Sequence, residues 1–129
     1  MSRFVLEDFE IIKGNIKFFK LRVNQVCPID EFWTEIENQG NLSKQLNQAI
    51  AIMERFSQNM PTSPKKFKNI SRKKDPVSLY EVKTKDLRIY LFRNSSGAVT
   101  VFGGKKSTQK KDIKYFRSLT TEFIKSRLL

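Results

Sequence analysis

Three strand-like runs, LYEVKT (79–84), LRIYLFRN (87–94) and AVTVFGG (98–104), are separated only by Lys85-Asp86 and by Ser95-Ser96-Gly97. Connections this short cannot carry a crossover, so the three runs must pair as an antiparallel meander. A sheet must be covered to bury its apolar side chains, and the flanking segments supply the helices. In CPIDEFWTEIENQG, Pro28 precedes an acidic first turn, Phe32, Trp33 and Ile36 share one side, and Gly40 ends the pattern. In the next segment Leu42, Leu46, Ala49, Ile50, Met53 and Phe56 recur at helical spacing up to Pro61, which makes an αα-hairpin with the first. STQKKDIKYFRSLTTEFIKSRLL predicts a final helix with Ile113, Phe116, Thr120 and Phe123 on one face and Ser107 or Thr108 as its N-cap.

Ahead of these elements, FVLEDFEII and IKFFKLRVN read as extended segments joined at Lys13-Gly14-Asn15. The proline-flanked stretch 61–76 reads as an exposed basic loop with a short strand at 67–71. The expected fold is therefore α+β: an antiparallel β-sheet with an N-terminal helical hairpin and a C-terminal helix. A chain of 129 residues suits one domain, 1–129, with residues 1–15 as an additional strand.

The net charge of +12 is unevenly placed. Residues 1–60 hold 7 Lys+Arg against 8 Asp+Glu, and residues 61–129 hold 18 against 5. A basic half of this kind points to a polyanion, because neutralising phosphates releases condensed counterions regardless of base sequence. No run approaches the ~18 apolar residues of a spanning helix, and the N-terminus lacks an apolar signal segment, so the expectation is a cytoplasmic protein with no membrane partner. A single cysteine, Cys27, leaves no internal disulfide, and the absence of histidine removes Ser-His-Asp and Cys-His nucleophile systems and the common zinc sites. No metal or other cofactor is expected. Glu81, Asp86 and Asp112 lack metal-ligand spacing and read as local salt-bridge partners.

Strand alternation places Tyr80, Val82 and Thr84 on one face and Glu81, Lys83 and Lys85 on the other. Leu87, Ile89 and Leu91 then join the core, and Arg88 and Tyr90 lie opposite. Pairing the strands gathers Lys83, Lys85, Arg88 and Tyr90 on one concave surface. Gly103 and Gly104 let the backbone approach a ligand there, with Lys105 and Lys106 just beyond. Lys110 and Lys111 fall in the first helical turn, where they oppose the macrodipole. Arg93, Lys73 and Lys74 complete the set of expected phosphate contacts.

The motifs CPIDEFWTEIEN, LYEVKTKDLRIYLF and VTVFGGKKSTQKKDI together resemble the phage-derived HigB branch of the RelE-type toxins of bacterial toxin-antitoxin pairs, over residues 16–125. The corresponding family stretches read S-P-V-x-E-F-L, L-Y-E-L-R with Y-R-I-L-Y-F, and L-L-H-G-F-x-K-K-T-Q-K-T-P. The resemblance implies a ribosome-dependent mRNA endoribonuclease, an mRNA interferase, in which the RNA 2′-OH attacks its own 3′-phosphate without metal. It also implies a cognate antitoxin as partner, mRNA on the ribosome as substrate, and operator DNA reached through the antitoxin. The family arginines fall on Lys83 and Arg88, its tyrosine on Tyr90 and its K-K pair on Lys105 and Lys106. Lys83 or Lys85 is then the base, Arg88 and Lys106 hold the phosphorane charge, and Tyr90 orients or stacks on a base. The chain departs from the pattern where Val101 or Phe102 replaces the family histidine and lysine replaces arginine at 83. A non-catalytic nucleic-acid binder and a ParE-like gyrase-poisoning toxin are the alternative readings.

Overall fold

A computed structural model of the chain describes residues 2–127. In chain order the elements are β1 (Phe4–Asp8), β2 (Phe18–Val23), α1 (Pro28–Glu37), α2 (Gly40–Ser57), β3 (Phe67–Asn69), β4 (Ser78–Lys83), β5 (Leu87–Asn94), β6 (Gly97–Lys105), a 3₁₀ turn (Lys106–Thr108) and α3 (Gln109–Arg127). The six strands form one sheet in the order β1-β2-β6-β5-β4-β3. The meander β4-β5-β6 is antiparallel, as the short connections require, and β1 (Phe4–Asp8) pairs antiparallel with β2. The sheet as a whole is mixed rather than antiparallel, because β2 lies parallel to β6. Two helices separate β2 from the strands that follow, and such a long connection permits parallel pairing.

Both faces of the sheet are covered. On one side α1 contributes Ile29, Phe32 and Ile36, and α2 contributes Leu46, Ala49 and Met53, packed on Phe18, Val82, Leu87, Ile89, Leu91 and Ala98. On the other side α3 lays Phe116, Leu119 and Phe123 over Leu21, Leu79, Tyr90, Phe92, Val99 and Val101. Each of the larger aliphatic and phenyl side chains gains about 1.5–3 kcal/mol on leaving water, which is why strands with apolar residues on both faces recruit helices to both. No helix among the described residues is long and apolar enough to cross a membrane.

Two local devices fix the parts that matter later. Phe56 stacks on Phe67 with ring centroids 4.5 Å apart, and Tyr80 packs tilted on Phe67 at 4.8 Å, tying the C-terminal end of α2 to the β3–β4 edge. Arg117 donates to the Asp75 carboxylate at 2.7 Å and to the Ile70 carbonyl, anchoring the β3–β4 connection to α3. Partial burial works against the Asp75 carboxylate, but the Arg72 N–H and the Arg117 guanidinium outweigh it and hold its pKa below the ordinary carboxylate range.

Gly103 and Gly104 do not open the backbone to a ligand. A Cβ at Gly103 would lie 2.5 Å from the Phe32 ring, and one at Gly104 would lie 2.0 Å from the Asp112 carboxylate, so α1 and α3 themselves occupy the space that the missing side chains leave. Gly103→Ala is therefore expected to force Phe32 off its seat and to cost about 1–3 kcal/mol, read as a lower urea midpoint at unchanged m-value. An unchanged midpoint would show that α1 adjusts freely over β6.

Candidate nucleic-acid interface

Where α2 ends, the backbone reverses through Asn59, which has a φ of 59°, and returns along the helix. Arg55 in the last turn fixes that return, donating Nε and Nη2 to the Pro61 carbonyl at 3.0 and 2.7 Å. The Lys83 N–H then donates to the Lys66 carbonyl at 2.7 Å, setting Lys66 beside Lys83. Between α2, residues 61–66 and the end of β4 runs a groove of about 710 Å³. Arg55, Lys65, Lys66, Lys83 and Lys85 line it together with hydroxyls from Thr62, Ser63 and Thr84, and no carboxylate is among its walls. None of these five cations takes part in an ion pair among the described residues.

The turn carrying Lys85 is held by Gln45, which is buried on α2. Its Oε1 accepts from the Asp86 N–H at 2.8 Å and from the Thr84 hydroxyl, and its Nε2 donates to the Asp86 carboxylate at 2.8 Å. Beyond Asp86 lies a second cleft of about 890 Å³, lined by Gln39, Asn41, Lys105 and Lys106 among others. There Lys105 Nζ donates to Gln39 Oε1 at 3.0 Å, and the Lys106 N–H donates to the Asp86 carbonyl at 2.8 Å. The two clefts meet at Lys85-Asp86, whose residues line one each.

The register brings Lys83, Arg88 and Gly104 side by side on β4, β5 and β6, as strand pairing predicts. The shared open surface expected there is absent, since α3 roofs that face. Arg88 is 5% exposed and donates Nη1 to the Thr84 and Leu87 carbonyls at 2.7 and 2.8 Å, so it clamps the β4–β5 turn from beneath. Tyr90 is 0% exposed, with Phe102 and Phe116 at centroid distances of 5.3 and 5.4 Å. Burial first, and the neighbouring carboxylates of Glu81 and Asp112 after it, push its phenol far above the usual tyrosine range. Tyr90 therefore offers no face for stacking on a base and no proton to exchange near neutral pH. Glu81, which is also buried, accepts from Gln109 Nε2 at 2.7 Å beneath α3.

Other expected contacts lie elsewhere. Arg93 pairs in register with Ser78 and Ala98, five residues along β5 from Arg88 and so about 17 Å away. Lys73 and Lys74 occupy the exposed turn that Arg117 and Asp75 anchor, at that same far end. Lys110 and Lys111 are exposed in the first turn of α3, where Asp112 offsets them and accepts from the Thr108 hydroxyl at 2.6 Å. No protein-family model, curated protein or solved structure matches this chain.

Arg55, Lys65 and Lys66 are site residues that strand alternation could not find, since they come from a helix end and a loop. The pairing of Phe67 with Val82 aligns Lys66 with Lys83, a register that local periodicity does not give. Glu7, Cys27 and Asp30 bring ligand atoms within 4.8 Å of one another, the spacing a metal ion would need. Arg22 already bridges Glu7 at 2.8 Å and Lys20 bridges Asp30 at 3.0 Å, and burial pushes the Cys27 thiol up toward its protonated form. The group is thus neutralised by the protein's own cations.

Arg88→Ala is expected to lower stability by about 1–3 kcal/mol, because it removes a buried donor to two turn carbonyls. Tyr90→Phe should stay within about 0.5 kcal/mol of the parent, since the hydroxyl has no hydrogen-bond partner. The raised phenol pKa favours the neutral folded form, so the folded state keeps its proton where the unfolded state loses it. Stability should hold through neutral pH and fall above pH ~10, a fall that Tyr90→Phe reduces. Urea melts of the three proteins between pH 7 and 11 check all of this. An Arg88→Ala protein as stable as the parent would return Arg88 to the surface role.

Proposed function

We propose that this chain binds the phosphate backbone of single-stranded RNA in the groove between α2 and β4, and that it is a toxin ribonuclease of the RelE/HigB type with an antitoxin as its partner. The observation that carries the reading is the set of five cations, without ion-pair partners among the described residues, that walls one groove lacking any carboxylate. A solvated lysine surface would alternate with acids, as the N-terminal half does; this arrangement leaves a field that only an external anion neutralises. The order of strand, two helices, three-stranded meander and final helix supports a RelE-type fold, as do the motifs that carry the resemblance.

The reaction is a transesterification. The 2′-oxygen attacks the adjacent phosphorus, the bond from phosphorus to the 5′-oxygen breaks, and the products are a 2′,3′-cyclic phosphate and a 5′-hydroxyl. Of the catalytic residues expected from strand alternation and the family motifs, only Lys83 and Lys85 line the groove; one of them, as the free amine, takes the 2′-OH proton, and the other, as the ammonium, gives a proton to the departing 5′-oxygen. Lys66 and Arg55 take over from the buried Arg88 in holding the charge that develops on the phosphorane, and Lys106 contributes from across the Lys85-Asp86 turn. A second reading, RNA binding without cleavage, is favoured by one observation: Arg88 and Tyr90 are both shut beneath α3.

Inducing the chain alone is expected to arrest growth and to leave new 5′ ends within translated messages. The Lys83→Gln, Lys85→Gln double variant should cut at least 10²-fold more slowly, in line with the removal of preformed charge donors. Its RNA affinity should persist, with a salt slope flattened by about 0.7 for each phosphate that is no longer neutralised. Salt-sensitive RNA binding with intact transcripts would establish the second reading. A parent chain that fails to bind RNA in moderate salt would remove both.

A further inference from the structure

We propose that the free edge of β1 pairs with the same edge of a second copy, antiparallel about Val5, to give a two-fold dimer with one continuous sheet. β1 is the outermost strand on its side of the sheet. Its inward backbone groups are identified by the bonds at its ends: the Asn24 N–H donates to the Arg3 carbonyl at 2.8 Å, and the Phe9 N–H donates to the Phe18 carbonyl at 3.0 Å. Inward and outward groups alternate along a strand, so residues 3, 5, 7 and 9 face β2 while Phe4, Leu6 and Asp8 turn their N–H and C=O groups outward.

The opposite edge is protected and this one is not. β3 is three residues long, has an exposed Lys68 at its centre and follows Pro64, all devices that discourage pairing. β1 is five residues long, FVLED, without lysine, proline or bulge, and carries Val5 at 49% exposure.

Side-chain chemistry selects the register. Antiparallel pairing about Val5 sets Phe4 against the partner's Leu6 on the α3 side. On the other side it sets Val5 against the partner's Val5, flanked twice by Arg3 opposite the partner's Glu7, which brings a second cation to a carboxylate that Arg22 already holds within its own chain. The register centred on Leu6 would instead oppose Phe4 with Asp8 and Val5 with Glu7. Apolar pairs and opposite charges directly across a ladder are favourable, whereas the alternative mismatches both faces.

The charge of the chain permits this meeting. The joined edges belong to residues 1–60, which carry 7 cations against 8 acids, and the basic groove lies at the other side of the sheet. Five strand spacings, about 24 Å, separate β1 from β3, beyond the screening length of physiological salt. Two five-residue strands bury less than a standard stable interface, so the dimer is expected to be weak and reversible.

Sedimentation equilibrium of the full chain from about 1 to 500 µM is expected to show a reversible monomer–dimer equilibrium. Val5→Lys, at an exposed position, should weaken it about tenfold or more by facing like charges. Arg3→Glu and Glu7→Arg should each weaken self-association, and mixing the two variant chains should restore a dimer, because opposite charges then meet at both flanking pairs. Circular dichroism of each variant separates loss of pairing from loss of fold. A parent chain that stays monomeric throughout overturns the proposal. So does a dimer indifferent to Val5→Lys, or a pair of charge variants that fails to recombine while both remain folded.

Discussion

β5 is buried at six consecutive residues, Leu87 to Phe92, and β6 at Gly97 to Phe102, so the centre of the sheet is closed on both faces. Every other feature follows from that closure. A charged group on these strands must either find partners inside or sit where a strand ends, since burying an unpaired charge costs several kcal/mol. Arg88 adopts the first solution by donating to the β4–β5 turn carbonyls, and Lys83, Lys85 and Lys105 adopt the second. The cationic surface therefore lies along one end of the sheet, around the turn that Gln45 holds, and not across its face.

Electrostatic pairing explains why the field is concentrated there. Three of the four ion pairs among the described residues, Lys17–Asp8, Lys20–Asp30 and Arg22–Glu7, neutralise the N-terminal half. The fourth, Arg117–Asp75, anchors a loop at the far end. The cations of the groove face one another and the solvent instead. Their mutual repulsion is tolerable because water and salt screen exposed charges, and an anion bound there would relieve it.

The meander, the three helices and the short strand after Pro61 were legible in the sequence because each rests on local periodicity or on a chain-breaking residue. The faces were legible too: Leu87, Ile89 and Leu91 lie on one side, and Arg88 and Tyr90 on the other. What alternation could not reveal was that the second face is also a core. Phe116, Leu119 and Phe123 had a helical stripe that required a cover, but nothing local says which face of the sheet a C-terminal helix will take. Once α3 settles over Tyr90 and Phe92, a surface that looked like an open cleft becomes interior.

The placement of strands and helices, the antiparallel order of the last three strands and the concentration of positive charge after residue 60 can all be read from the sequence. These depend on side-chain period, turn length and composition, which are properties of neighbouring residues. Tertiary structure alone decided the parallel pairing of β2 with β6, the burial of Arg88 and Tyr90, and the meeting of Arg55, Lys65 and Lys66 with Lys83 and Lys85. Those outcomes depend on contacts between residues far apart in the chain. They are fixed by which pair of faces buries the most apolar surface, a quantity defined only once the helices have docked on the sheet.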